Sequence, residues 1–474
     1  MIDALLILAA VATITVGGMT VFYAVVQEPQ RYFRTERIVY SYPLGLAVLG
    51  MPMFVTSWMG LHLNALVVMA LVLMMAVAVR CWRKITWHSF WLMPSTVGSN
   101  SKSLTEVELI LVVIILGCLG ARSVACLLTP LVDWDALCFW GLKSKICYFS
   151  TIKDAADYFT SPVYRFTNQT YPLLWPMMYA WVCTVLGRFD DLRMLAINPL
   201  NLIVFTCLFY FTMRHYVSRL VALAVATMVA TLPSTMHYIE CGQADIPLML
   251  ISGASLFALL DWFHNHRRDS IVLASILMGG ALFVKHEGQI LMLVDLTLIA
   301  ASILFVVESA KRRRLWRHAA LYVAIAMIMI APWLWYRSKI PKEAWQIGGQ
   351  GFSRVRWEEL PTFLYTISQN ALHWYNGVGL PKWNLLWPIL IFFCFLSKAP
   401  RHYPWSLLMI AFALHAGAVV LIHLASQVPL TLQHEFALER YTIIMLPPLW
   451  IMLAVSLEEW WLVWRSSHGD VSPQ

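Results

Sequence analysis

A chain of 474 residues that is 60% hydrophobic and only 13% charged departs from soluble domains, which are roughly 45–50% apolar and about 25% charged. The mean hydropathy of +0.67 and the long apolar runs place it in a lipid bilayer, which excludes a cytosolic enzyme, a disordered protein and a disulfide-built secreted module. The net charge of +8 comes without a basic stripe interleaved with aromatic residues, so we expect no nucleic-acid partner.

The apolar runs predict an all-α, polytopic membrane protein with about 13 transmembrane helices, since one span takes roughly 20 residues. The runs lie at 4–26, 39–57, 60–79, 105–130, 195–213, 219–237, 245–262, 269–284, 289–308, 318–335, 383–397, 404–425 and 441–457. One further run, 171–187, is ambiguous because it is short and holds Pro172 and Pro176 near its start.

Six basic clusters decide whether 171–187 crosses the membrane. They are Arg31/Arg34/Arg37, Arg80/Arg83/Lys84, Arg214/Arg219, Arg267/Arg268, Lys311/Arg312/Arg313/Arg314 and Lys398/Arg401. If 171–187 does not cross, all six lie on one side, with the N-terminus outside and the C-terminus inside, as the positive-inside rule favours. We therefore predict that 171–187 lies in, or dips into, the outer interface. The polar loops on the outer face are then 131–194, 238–245, 285–288, 336–382 and 426–440.

The first large outer loop carries two carboxylates just beyond a span. Asp133 and Asp135 suit a general base for an acceptor hydroxyl, or a pair of ligands for a divalent cation. The same pattern is also typical of a helix cap. The segment that follows presents Lys143 and Lys145, which either bind a phosphate or snorkel to the interface.

The shorter outer loops place ionisable side chains at the ends of spans. Asp245 opens a span, where it serves either a site or a helix cap. Three consecutive ionisable residues between two close spans are costly near a membrane, so this turn is either functional or well hydrated. Arg440 pairs either with a phosphate or with an acidic residue of its own helix. The candidates in these loops are Glu240, Asp245, Lys285, His286, Glu287, Arg337, Glu435 and Arg440.

The order of these motifs resembles the bacterial polytopic glycosyltransferases of the GT-C fold, relatives of the protein O-mannosyltransferases and the lipid A aminoarabinose transferases. The resemblance covers roughly residues 105–457. It is carried by Trp134-Asp135-Ala136-Leu137, Trp140, Lys143-Ser144-Lys145, Tyr171-Pro172-Leu173, Gln243-Ala244-Asp245-Ile246-Pro247, Lys285-His286-Glu287-Gly288, Pro332-Trp333 and Glu439-Arg440-Tyr441. It implies a GT-C-type fold whose first large outer loop forms interfacial juxtamembrane helices.

The resemblance also implies a mechanism. A polyprenyl-phosphate-linked sugar is the donor, an acidic residue of the first outer loop is the base, and the sugar is transferred with inversion. Asp135 matches that base through its Trp-Asp-Ala-Leu context, whereas Asp133 has no firm equivalent, and Asp245 resembles the second-loop acid that shapes the site. The implied reaction needs no organic cofactor, and a divalent cation stays an alternative.

We thus predict an inverting membrane glycosyltransferase, a hexosyl- or pentosyltransferase that acts on a hydroxyl of a lipid, glycan or protein acceptor. We place it in the bacterial inner membrane with its site facing the periplasm. The catalytic candidates are Asp135, Asp245 and Asp133. The donor-phosphate candidates are Lys143, Lys145, Lys285 and Arg440. The substrate-binding candidates are Glu240, His286, Glu287, Arg337 and Glu435.

Two alternatives accompany this prediction. A lipid-linked saccharide flippase or transporter would keep charges within its spans, where Arg122 and Asp295 are the main examples. An oligosaccharide polymerase or ligase would use a diphosphate-linked donor. We divide the chain into an N-terminal three-span extension (1–104), a catalytic transmembrane module (105–335) with the outer loop 131–194, and a segment (336–474) with the outer loop 336–382 and three C-terminal spans.

Overall fold

The protein is a bundle of helices, and no described residue lies in a β-strand. The structure is a computed structural model that describes residues 1–86, 90, 103–341, 355–372, 397–398, 401–425 and 438–467. In chain order the α-helices are α1 (Ile2–Val25), α2 (Arg34–Trp58), α3 (Ala65–Arg83), α4 (Glu106–Leu128), α5 (Leu142–Phe149), α6 (Ala156–Thr160), α7 (Leu174–Leu186), α8 (Asn198–Met213), α9 (Arg219–Thr231), α10 (Pro233–Glu240), α11 (Asp245–Asn265), α12 (Arg268–Val284), α13 (Gly288–Ala301), α14 (Ser309–Arg337), α15 (Leu360–Leu372), α16 (Trp405–Ala425), α17 (Leu438–Ile443) and α18 (Leu446–Ser467). Wider π-helical turns occupy Ala136–Gly141 and Ser302–Val306.

The helices agree with the predicted polytopic architecture. Within the described part of the chain, ten helices are long and apolar enough to cross a membrane, and α9 with α10 forms an eleventh span, bent by 48°, if the pair is counted as one. Helix α12 also runs between the two ends of the bundle, as its contacts below show. Residues 383–396 of the predicted span 383–397 lie outside the described residues, so the number 13 stays a prediction.

One end of the bundle, here called the basic face, gathers the arginine-rich turns. Arg31 lies 3.3 Å from Asp269 at the start of α12, and Arg219 lies 2.7 Å from Glu108 at the start of α4. His215, just beyond α8, lies 2.9 Å from the buried carboxylate of Glu36. These contacts place turns from four different parts of the chain at the same end, as the distribution of basic clusters predicts.

The opposite end, here called the site face, holds the long loop between α4 and α8. Asp3, at the start of α1, pairs with Arg188 at 2.8 Å and with Arg193 at 2.7 Å. The backbone N–H of Ile152 donates to the Ser57 hydroxyl at the end of α2, at 2.9 Å. The N-terminus and the loop 131–194 therefore share this face.

Helix α7 does not cross the bundle. The residue before it, Tyr171, lies against Trp140 and His286, and Arg188 beyond its end pairs with Asp3, so both ends lie at the site face. Its 13 residues extend only about 20 Å at 1.5 Å per residue, against a hydrocarbon core of about 30 Å. This geometry agrees with the prediction that 171–187 dips into the membrane without spanning it.

Helices α1 and α2 pack into the centre of the fold. Their backbones touch at two glycines: a Cβ on Gly18 would lie 1.7 Å from the Ser41 carbonyl oxygen, and one on Gly45 would lie 1.8 Å from that of Ile14. A Cβ on Gly280 of α12 would lie 2.5 Å from Ala47 of α2. The first two spans of the predicted extension thus share the core of the module that follows, and the domain boundaries stay a prediction.

Candidate active site

The π-helical turn after α4 presents Asp135. In this turn Asp133 acts as a local cap: its backbone carbonyl accepts from the Leu137 N–H at 2.9 Å, and its carboxylate accepts from the Asp135 N–H at 3.3 Å. The second carboxylate oxygen of Asp133 accepts from the Gln243 side chain at 2.5 Å. Asp133 therefore holds two loops together, and the side chain of Asp135 is left to face the other charges of the site.

The loop before α11 is held in one conformation by glycine and tyrosine. Gly242 has a φ of +72°, which L side chains rarely adopt, and a Cβ there would lie 2.6 Å from a Leu131 methyl group. The Tyr179 hydroxyl donates to Asn198 at 2.6 Å or to the Gly242 carbonyl at 3.1 Å. These contacts fix the backbone from which Asp245 begins α11.

Asp245 is nearly inaccessible to solvent, with 2% of its side chain exposed. A carboxylate this buried costs several kcal/mol unless cations compensate its charge. One oxygen lies 2.8 Å from Lys285 Nζ, and the other lies 3.2 Å from Arg440 Nε. The two partners come from the α12–α13 turn and from α17, so this one carboxylate joins three separate segments.

Arg440 links the two acidic loops. Its Nε contacts Asp245, and its Nη1 donates a hydrogen bond to Asp135. Lys285 in turn lies 3.0 Å from Glu287 Oε1. The charges thus alternate along a chain of contacts from Asp135 through Arg440, Asp245 and Lys285 to Glu287, here called the charge ladder.

The turn that carries Lys285 is tight. Lys285 is extended, with φ −156° and ψ 157°, immediately after α12. A Cβ on Gly288 would lie 2.6 Å from the Ala281 carbonyl oxygen, so only glycine lets the chain turn back this closely. Glu287 Oε2 is buried and has no hydrogen-bond partner among the described residues, whereas its Oε1 contacts Lys285.

An aromatic pocket adjoins the charge ladder. The rings of Tyr171 and His286 lie 4.7 Å apart. Lys143 Nζ lies 5.7 Å from the Tyr171 ring centre, within cation–π distance, and donates to the Asn168 carbonyl at 2.5 Å. The Trp140 ring stands edge-on to Tyr171 at 5.7 Å. Lys143 is fully buried, and these contacts with a carbonyl oxygen and an aromatic ring help to stabilise its positive charge.

His286 is a neutral side chain in this pocket. Burial, together with the positive charges of Arg337, Lys143 and Lys285, lowers the pKa of His286 to about 3. Among the described residues neither ring nitrogen has a hydrogen-bond partner. A neutral imidazole offers one donor and one acceptor, which suits a sugar hydroxyl.

The structure brings most of the predicted site residues together. Asp135, Asp245, Lys285, Glu287 and Arg440 form the charge ladder. Lys143, His286 and Arg337 lie beside it, and Asp133 supports it through Gln243.

Three predicted residues lie elsewhere or outside the described part. Lys145 is exposed, with its Nζ 5.9 Å from the Phe189 ring centre, and its described contacts do not connect it to the ladder. Glu240 pairs with Arg122 of α4 at 2.5 Å, so that mid-span arginine has a structural partner. Glu435 lies outside the described residues.

Sequence reasoning missed Tyr171 and Gln243 as members of the site. Both belong to motifs that carried the family resemblance, and that position was the only signal for them. The alternative of a divalent cation finds no preformed cluster: no group of three or more His, Cys, Asp or Glu side chains is arranged for a metal ion in the part of the chain described here. Asp133 and Asp135 instead contact Gln243 and Arg440.

Comparison with known proteins gives one informative likeness. No family model matches the chain, and no curated protein matches it. Among solved structures, the crystal structure of ArnT from Cupriavidus metallidurans bound to undecaprenyl phosphate is similar, with a TM-score of 0.52 and 16% sequence identity. The match covers 77% of this chain and 64% of that one, so it spans less than two thirds of the neighbour's length. At this identity the likeness shows the fold: the chain is an all-helical polytopic membrane protein of the GT-C fold.

Proposed function

We propose that the protein is an inverting glycosyltransferase that moves a sugar, a hexose or a pentose, from a polyprenyl-phosphate donor to an acceptor hydroxyl. The observation that carries the proposal is the meeting of Asp135 and Asp245 on one guanidinium, Arg440, with Lys285 one contact further. A carboxylate beside paired cations is what attack at an anomeric carbon with a phosphate leaving group requires. The GT-C fold and the undecaprenyl phosphate bound to the structural neighbour support the donor class.

In the proposed reaction Asp135 is the general base. It takes the proton of the acceptor hydroxyl as that oxygen attacks the anomeric carbon. The bond from the anomeric carbon to the phosphate oxygen breaks on the opposite side, and the polyprenyl phosphate leaves with the electron pair. Asp135 suits this role because 23% of its side chain is exposed, whereas Asp245 is enclosed.

Arg440, Lys285 and Lys143 are the proposed ligands of the donor phosphate. In the structure Arg440 and Lys285 are already paired with carboxylates. To bind them, the donor phosphate has to displace one of these carboxylates. Arginine favours such an exchange because its planar fork matches both groups. When the phosphate takes Arg440, Asp135 loses its cation partner and becomes a free base, which ties deprotonation of the acceptor to the presence of the donor.

The remaining polar groups are proposed to bind the sugar. His286 and Glu287 Oε2 lack partners among the described residues, and Tyr171 provides a ring face beside them. We place the site at the periplasmic side of a bacterial plasma membrane, because the arginine-rich turns lie at the opposite end of the bundle. The acceptor is a lipid, a glycan or a protein that carries a hydroxyl.

The test is turnover by the purified full-length protein with polyprenyl-phosphate sugars and a panel of hydroxyl acceptors. We expect Asp135→Asn to lower kcat by about 10²–10⁴-fold, the usual contribution of a general base. Binding of the donor should persist, because Arg440 and Lys285 remain.

Asp133→Asn is the matched control in the same turn and should retain most of the turnover. Its amide oxygen still accepts from the Asp135 N–H, and its NH₂ can donate to Gln243 Oε1 once the Gln243 amide turns over. Normal turnover by Asp135→Asn would show that the base is assigned wrongly. Transfer from diphosphate-linked donors alone would favour the polymerase or ligase, and movement of a labelled lipid across liposomes without bond cleavage would favour the flippase.

A further inference from the structure

A small cavity lies between helices of the bundle, beneath the charge ladder. The volume available to the centre of a water molecule is about 20 Å³. A cavity that holds one water molecule needs roughly 10–15 Å³ of such volume. Its walls come from α11, α12, α13, α16 and the start of α18. Helix α11 begins at Asp245, α13 follows the Lys285 turn, and α18 follows α17. The cavity therefore lies beneath the segments that carry the charge ladder.

Two titratable side chains face this cavity, and the proposed reaction uses neither. Asp295 of α13 and His415 of α16 both line it, and each is 6% exposed. Both ring nitrogens of His415 are buried without a hydrogen-bond partner among the described residues. A buried polar group without a hydrogen-bond partner costs roughly 1–3 kcal/mol. A polar ligand inside the cavity would remove this cost for the imidazole.

The surroundings of Asp295 favour a neutral carboxyl. One oxygen accepts from the Tyr322 hydroxyl of α14 at 2.7 Å. The Ser255 hydroxyl of α11, which also neighbours the carboxyl, donates to the Ala274 carbonyl at 3.0 Å. Among the described residues that line the cavity, none is a lysine or an arginine. An ionised carboxylate without a cation is far more costly inside a membrane than a protonated one.

We propose that Asp295 and His415 form an intramembrane site for one water molecule, in which the protonated carboxyl donates to the water and the water donates to a neutral imidazole nitrogen. In this arrangement the carboxyl proton and one ring nitrogen of His415 both gain a hydrogen-bond partner, and no net charge is buried. The site joins α16 to α13 through polar contacts in an otherwise apolar layer. The Ser252 hydroxyl, also on the cavity wall, donates to the Leu248 carbonyl at 2.7 Å, so its free lone pair is a further acceptor for the water.

The first test is infrared difference spectroscopy on the full chain in detergent at neutral pH. Wild type minus Asp295→Asn should show the C=O stretch of a protonated carboxylic acid. That band should shift in D₂O, and it should shift again in His415→Phe, which removes the partner of the water. Absence of the band, or its persistence unshifted in His415→Phe, would overturn the proposal.

The second test measures the Tm of matched variants. Asn carries a donor and an acceptor like a protonated carboxyl, so Asp295→Asn should melt close to wild type, whereas Asp295→Leu should melt several degrees lower. His415→Gln should likewise melt above His415→Leu. If the cavity is dry, His415→Leu removes an unpaired polar group and raises the Tm. If Asp295 is ionised, Asp295→Asn is as destabilising as Asp295→Leu. Either result contradicts the inference.

Discussion

Asp245 stays ionised in a nearly closed site because two cations reach it from different segments. Lys285 and Arg440 each take one of its oxygens, and the second also holds Asp135. Removing one member of such a buried set leaves the others unpaired, which costs more than the set itself contributes to stability. The ladder is therefore both a proposed binding site for a phosphate and a contact on which the packing of α17 depends.

His286 gives a prediction about acid stability. The pKa of His286 is lowered from 6.5 to about 3 in the folded chain by burial and by Arg337, Lys143 and Lys285. Between these two pH values His286 is protonated in the unfolded chain but neutral in the folded chain. The free energy of unfolding therefore falls as the pH drops from 6.5 toward 3. We expect His286→Gln to lose less Tm over that range than wild type does.

The measurement is the Tm of the detergent-solubilised protein against pH, with His62→Gln at an exposed position as the matched control. The control should keep the wild-type acid slope. A His286→Gln slope equal to that of wild type would contradict a buried neutral imidazole.

At the scale of single elements, the short loops do most to position the site. The π-helical turn and the loop before α11 are tied together by Asp133 and Gln243, and the α12–α13 turn is closed by the contact of Gly288 with Ala281. Each loop joins helices that are fixed by apolar packing, so the backbone positions of its charged residues are also fixed.

Gly242 tests how much the loop before α11 matters. Gly242 and Gly187 share a φ of +72°, but a Cβ meets Leu131 at 2.6 Å only at Gly242, and nothing lies within 4 Å at Gly187. Both alanine variants should lose about 1 kcal/mol from the strained backbone. Gly242→Ala should lose about 1–3 kcal/mol more from the clash and should lower turnover as well.

The measurement is the Tm together with the turnover of the two purified variants. Since the strain from φ is common to both, their difference isolates the steric contact. Equal Tm values for Gly242→Ala and Gly187→Ala would show that this loop tolerates displacement.

At the scale of the whole molecule, the two faces of the bundle separate the proposed chemistry from the orienting charges. Contacts such as Asp3 with Arg188 and Arg31 with Asp269 assign turns to their faces independently of hydropathy. Helix α14 begins among the basic residues near Lys311 and ends at Arg337, whose charge acts on His286. The chain therefore crosses from the basic face to the site face along this helix.

Thiol labelling tests this arrangement. In a background without the native cysteines, we expect Lys145→Cys and Lys311→Cys to react with a membrane-impermeant reagent from opposite sides of sealed vesicles. Both lysines are exposed, so both positions are reachable. Labelling of both variants from the same side would mean that one span has been added or lost between them, and that 171–187 crosses after all.

The sequence by itself determined the membrane class, most of the spans, the shared face of the polar loops and the residue types of the site. These follow from local properties, since apolar length and basic clusters are readable without knowing any contact. It also indicated Asp135 over Asp133 through its local context. It did not separate Lys143 from Lys145, although only Lys143 turns toward the pocket.

Only the tertiary structure decided which charges meet. Asp135 and Arg440 are 305 positions apart, and nothing in the spacing of a chain dictates pairing over such a distance. The same holds for Tyr171 against His286 and for the cavity between Asp295 and His415, because residues on separate helices come together through packing. Hydropathy determines whether a helix crosses the membrane. The rotation of the helix about its axis and the identity of its neighbours depend instead on how the side chains of all the helices pack together.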